Sequence, residues 1–200
     1  VVSRRNIPVA AVSPQLGEIY INPRCRLNLE EWKFVLAHEF LHAALRHDLR
    51  CEDRIPELWN VACDYVVNDW LCEMKVGCMP ESALFDNQFH GMSAEAVYDQ
   101  ICENIRQYLK ENPGDLLYGD GSEGVDLNGS KLDSVYRSAL QQGLVYHTQQ
   151  NRGYLPVGLI EEIHALSRPP ISWDVELGKW FDENFTVMEK HRSYARLSRR

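Results

Sequence analysis

The residues best able to do chemistry stand together in the segment HEFLH, residues 38–42. Each residue of an α-helix turns by about 100°, so His38 and His42 lie about 40° apart on one face and their imidazoles can grip one ion. Glu39 follows the first histidine directly, too far round the helix to share the coordination easily and well placed to hold a water on the metal. Zinc lowers the pKa of bound water to about 7, and a neighbouring carboxylate can take the proton as the oxygen attacks a carbonyl carbon. That is the chemistry of amide hydrolysis, with Glu39 as the base. The competing reading is a pair of satisfied core histidines, but burying two histidines and a glutamate is costly unless they are paired or ligate a metal.

A catalytic zinc needs a third protein ligand. His47 is the nearer candidate. On an unbroken helix it lies nine residues past His38, about 180° round, and a ligand role would need a sharp turn after His42 where no glycine is available. Its expected place is behind the ligands or in packing. Asn60, Asp64 and Asn68 recur every four residues on an otherwise apolar segment and make a narrow polar stripe. If that segment is a helix packed against the first, Asp64 completes a His38, His42, Asp64 zinc site, with Asn60 and Asn68 orienting the carboxylate or nearby backbone. A donor for the developing oxyanion is not singled out among Tyr65, His90, Tyr98, His164 and Tyr194. An exposed strand edge at residues 18–22 could hold an extended substrate by strand addition.

The elements that must position these groups follow from pattern and punctuation. Residues 7–12 and 18–22 read as two short strands around the turn-prone SPQLG. Asn28, with Glu31 three residues on, should cap a helix running to about Leu49, and its apolar residues, among them Leu29 and Phe40, mark it as buried. A second central helix should start after Pro56 and run to about Met74, followed by a loop over 76–92. A third should be capped by Ser93 and end near Glu111. Further helices are expected at about 131–149, 156–167 and 173–184. The Gly-rich, polar stretch 113–130 is the best internal boundary. It divides a core, 1–112, from a helical C-terminal part of the same domain, 131–200, and its acidic residues miss the spacing of a calcium-binding loop. The expected class is α+β, mainly α, with a small N-terminal β-hairpin and a C-terminal helical part.

The 200 residues carry 44% hydrophobic and 25% charged side chains, enough for one packed core and one active site. A formal net charge of −8 argues against a general nucleic-acid binder. The basic run KHRSYARLSRR at 190–200 is the local exception, and it reads as a linker or solvated tail. Six scattered cysteines without a CxxC pair, no signal-like start and no span of roughly 18 apolar residues suggest reduced thiols, no membrane segment and a cytoplasmic location.

HEFLHAALRHDLR at 38–50 and LWNVACDYVVND at 58–69 together resemble the metallopeptidase domains that precede a von Willebrand factor A-like domain in bacterial proteins. GMSAEAVYDQI at 91–101, GYLPVGLIEEI at 153–163, ISWDVELGKW at 171–180 and RSYARLSRR at 192–200 extend the likeness over most of the chain. The resemblance implies a zincin-like fold and carries over His38, Glu39 and His42, with Asp64 as third ligand. It departs at Arg46, where the family often has glycine, which argues against a turn that would bring His47 to the metal. It also implies a von Willebrand A-like domain after residue 200 and an AAA+ ATPase partner, with a protein or peptide as substrate. The rival to a zinc peptidase is a non-catalytic, metal-stabilised interaction module serving such an ATPase.

Overall fold

The computed structural model describes residues 1–103, 129–150, 153–167, 177, 178, 180 and 181. Two compact units are distinguished, Val1–Ser167 and Arg168–Arg200. In the second, the rings of Trp180 and Phe181 meet edge to face. Everything that follows concerns the first unit, which is mainly helical with one small sheet.

The sheet has three strands, β1 (Val2–Ser3), β2 (Ala10–Ser13) and β3 (Glu18–Ile21), in the order β1-β3-β2. β2 and β3 form the expected hairpin, antiparallel with Val12 opposite Ile19, while β1 adds to β3 in parallel. Gly17 closes the hairpin at φ 65°, a left-handed conformation that glycine adopts without steric cost. The expectation of an exposed edge at residues 18–22 fails. β3 is the middle strand, with β2 along one side and β1 against Tyr20 and Ile21 on the other.

Helix α1 (Leu29–Ala44) begins at the predicted cap, with a reciprocal pair of bonds between Asn28 and Glu31. It ends earlier than expected, and a separate turn of helix, α2 (His47–Arg50), follows. Its burial is one-sided: Phe34, His38, Glu39, His42 and Ala43 face inward, whereas Leu29 and Phe40 are exposed. Phe40 lies two residues from each histidine, about 200° round, so turning the histidines inward turns Phe40 out.

Helix α3 (Pro56–Glu73) runs through the centre, buried without interruption from Leu58 to Leu71. Pro56 occupies its first turn, where a missing N–H costs nothing. The connection that follows contains a short 3-10 turn, Asn87–Phe89, and Gly77 at φ 64° lies so close to α1 that an added Cβ would sit 2.2 Å from the Glu30 carbonyl oxygen. Helix α4 (Ala94–Glu103) starts with Ser93 accepting from the Ala96 amide. It packs on α3 through Val97 and Ile101, in a core that also takes Trp59, Val66, Trp70, Phe89 and, from α6 (Val157–Ser167), Leu159 and Ile163. Helix α5 (Gly129–Gln150) reaches the hairpin, where the Tyr136 hydroxyl donates to the Pro14 carbonyl. The stretch 113–128 and most of the helix expected at 173–184 lie outside the described residues.

Candidate metal centre

The site is built from one face of α1 and one face of α3. His38 and His42 are one turn apart, with ring centroids 4.4 Å from each other. Facing them from α3, Asp64 Oδ1 lies 3.6 Å from His38 Nε2 and 3.2 Å from His42 Nε2. One ligand-capable atom from each of the three residues falls within 4.8 Å of the others, and all three side chains are buried. Glu39 is buried beside them, 2% exposed, on the turn that carries both histidines.

The polar stripe of α3 faces inward, as the pattern required. Asn68 Oδ1 lies 2.9 Å from His38 Nδ1, while its Nδ2 donates to the Leu84 carbonyl at 2.9 Å. The second bond fixes the first, because a carbonyl only accepts, so the amide nitrogen must face Leu84 and the amide oxygen must face His38. That oxygen needs a proton on Nδ1, which leaves Nε2 of His38 with its lone pair toward Asp64. One turn earlier, Asn60 Nδ2 donates to Asp64 Oδ2 at 3.4 Å, leaving Oδ1 aimed at the histidines.

His47 departs from expectation in a specific way. The unbroken helix on which it would face away does not exist. Arg46 adopts the left-handed region, φ 52° and ψ 46°, and the chain turns sharply after Leu45 without a glycine. A left-handed non-glycine residue costs of order 1 kcal/mol, and here the buried Arg46 guanidinium is held by both carboxylate oxygens of Asp48 and by Asp133 of α5. The turn sets His47 Nδ1 3.1 Å from His42 Nδ1, behind the metal-facing side of His42. Its carbonyl accepts from the Trp59 indole at 2.8 Å. Burial, and after it repulsion from His42, Arg50 and His38, pushes the His47 pKa well below its ordinary value. A neutral His47 can accept the His42 Nδ1 proton, and His42 Nε2 is then the atom with a free lone pair. No hydrogen bond reaches that buried nitrogen among the described residues.

The described residues among the other oxyanion candidates make the following contacts. Tyr65 packs its ring on Phe89, and Tyr98 accepts from the Ile55 amide and lies against Trp59. His90 meets Asp69, and His164 is exposed on α6. Tyr194 lies outside the described residues. The departure at Arg46 was expected to argue against a turn, and the turn forms nonetheless on a left-handed arginine.

Two imidazole nitrogens and one carboxylate oxygen, each oriented by a partner behind it, form a donor set suited to a divalent metal that keeps an open position. A sequence profile for a family described as "putative metallopeptidase domain" matches residues 3–200. The chain belongs to that family. Neither a curated protein nor a solved structure matches it. For a member of a metallopeptidase family the coarse expectation is a metal-dependent peptidase, and the His38, His42 and Asp64 group is a candidate for holding the metal. No helix among the described residues is long and apolar enough to cross a membrane.

Proposed function

We propose that this metallopeptidase-family domain is a zinc-dependent endopeptidase with a zincin-like core, in which His38, His42 and Asp64 hold the metal and Glu39 is the general base. The observation that carries the reading is the convergence of His38 Nε2, His42 Nε2 and Asp64 Oδ1 in a buried site next to Glu39. Zinc, when bound there, supplies Lewis acidity toward water and toward the carbonyl oxygen of the scissile bond. Glu39 takes a proton from the attacking water on its carboxylate and returns it to the leaving amide nitrogen, so that water is consumed and the peptide bond is broken without net proton change. Asn68 and His47 keep the Nδ1 protons of His38 and His42 in place, and Asn60 turns Asp64. The protein or peptide substrate, a cytoplasmic setting and cooperation with a von Willebrand A-like domain and an AAA+ ATPase belong to the same proposal.

A site built only for structure would be expected to close its fourth position with another ligand rather than place a carboxylate beside it. The deciding experiment loads the protein with zinc and incubates it with a fluorescently labelled unfolded protein and a mixed peptide library. Cleavage that vanishes in Glu39→Gln while bound zinc is unchanged supports the peptidase. Zinc-loaded wild type that leaves both substrates intact, as Glu39→Gln does, favours the metal-stabilised interaction module instead.

A further inference from the structure

Near the far end of α3 a second group of metal-ligating side chains converges, apart from the site described above. Asp69 and Glu73 are four residues apart and therefore share one face of the helix. From the end of the 3-10 turn, His90 reaches back to them: its Nδ1 lies 3.0 Å from both carboxylate oxygens of Asp69 and 3.7 Å from Glu73 Oε1. The three donor atoms fit within 4.8 Å of one another. Asp69 stands five residues beyond Asp64, about 7.5 Å along the axis and about 140° round it, so one ion cannot serve both groups.

We propose that Asp69, Glu73 and His90 form a second divalent-cation site, selective for a transition-metal ion of the zinc class. Two carboxylates here face one imidazole, and no lysine or arginine pairs with either among the described residues. Asp69 is 7% exposed, too buried for water alone to screen its charge fully. A proton on His90 Nδ1 occupies the place between the carboxylates that a metal would take. A further contact holds Asp69 in position: the Gly91 amide donates to Asp69 Oδ2 at 3.4 Å. An imidazole beside carboxylates suits zinc or manganese, whereas calcium and magnesium prefer oxygen ligands throughout.

An ion here joins the end of α3 to the loop carrying His90. That connection also contains Leu84, whose carbonyl holds Asn68 against His38. The second ion thus braces the segment that orients the first site. None of this depends on Glu39 or on peptide hydrolysis.

The test is zinc stoichiometry and affinity on chelator-stripped protein, by calorimetric titration and elemental analysis of the dialysed product. Wild type should bind two equivalents. His90→Ala, an exposed position where folding should survive, and Glu73→Gln should each retain one, and the His38→Ala, His42→Ala double variant should retain the other. The second equivalent should persist in a large excess of calcium. One equivalent in wild type, or two in folded His90→Ala and Glu73→Gln, overturns the site, and displacement by calcium overturns its metal class.

Discussion

Asn68 does two things with one amide, and its effect on the metal can be separated from its effect on the fold. Its oxygen holds the His38 Nδ1 proton and its nitrogen holds the Leu84 carbonyl. Asn68→Ala should weaken zinc binding by about 10–100-fold, the usual cost of losing a hydrogen-bond partner behind a ligand, measured by competition with a chromophoric chelator. Asn68→Asp keeps the acceptor for His38 and loses the donor to Leu84, so it should recover most of that affinity. Equal losses in both variants would show that the Leu84 bond, rather than the histidine tautomer, sets the site. This residue could be read from the sequence because a four-residue recurrence on an apolar helix has only one inward explanation. The place of His47 behind the ligands is also legible, but the turn that puts it there is not, because no periodicity reports a single left-handed residue.

At the scale of elements, local signals located the starts of α1, α3 and α4, since a cap or a proline acts within a few residues. The pairing of β1 with β3 brings Val2 to Tyr20, and nothing in either segment announces such a nonlocal choice. The exposed face of α1, with Leu29 and Phe40, differs from the apolar expectation for a related reason: apolar count says less than the direction its histidines must take. The α1–α2 turn is testable directly. Arg46→Gly and Arg46→Ala both lose the bonds to Asp48 and Asp133, but only alanine keeps the left-handed penalty. Urea unfolding should find Arg46→Ala less stable than Arg46→Gly by about 1 kcal/mol. Helix α2 is also tied to α4 and α6, through Arg50 pairing with Glu95 and Glu162. Burial would raise the Glu95 carboxyl, but Arg50, through its charge and hydrogen bond, outweighs it and holds the pKa below the ordinary 4.5. A carboxylate lowered on folding contributes stability above its unfolded pKa and loses it as pH falls through the folded value. The urea midpoint of wild type should therefore drop below about pH 4.5, and Glu95→Gln should start lower and fall less steeply.

Across the whole molecule, the central fact is that α1 and α3 bury a set of polar side chains where a domain of this size would ordinarily place only apolar ones. His38, Glu39, His42, His47, Asn60, Asp64 and Asn68 are all buried. Their partners satisfy much of that polarity, and one ligand-capable atom from each of His38, His42 and Asp64 converges within 4.8 Å of the others. A metal that binds the folded chain and not the unfolded one stabilises by mass action, about 2.7 kcal/mol at a hundredfold excess over Kd. For a chain of this length each kcal/mol moves the melting temperature by about 2–4 °C, so stripping zinc should lower it by roughly 5–10 °C. Differential scanning fluorimetry of His90→Ala, which removes the Asp69, Glu73 and His90 group, and of the same variant with Asp64→Ala added, each with and without zinc, isolates the α1–α3 site. The shift should collapse in Asp64→Ala. A shift of undiminished size would mean that Asp64 is not a ligand, and that the two helices are held across this buried polar seam by hydrogen bonds alone.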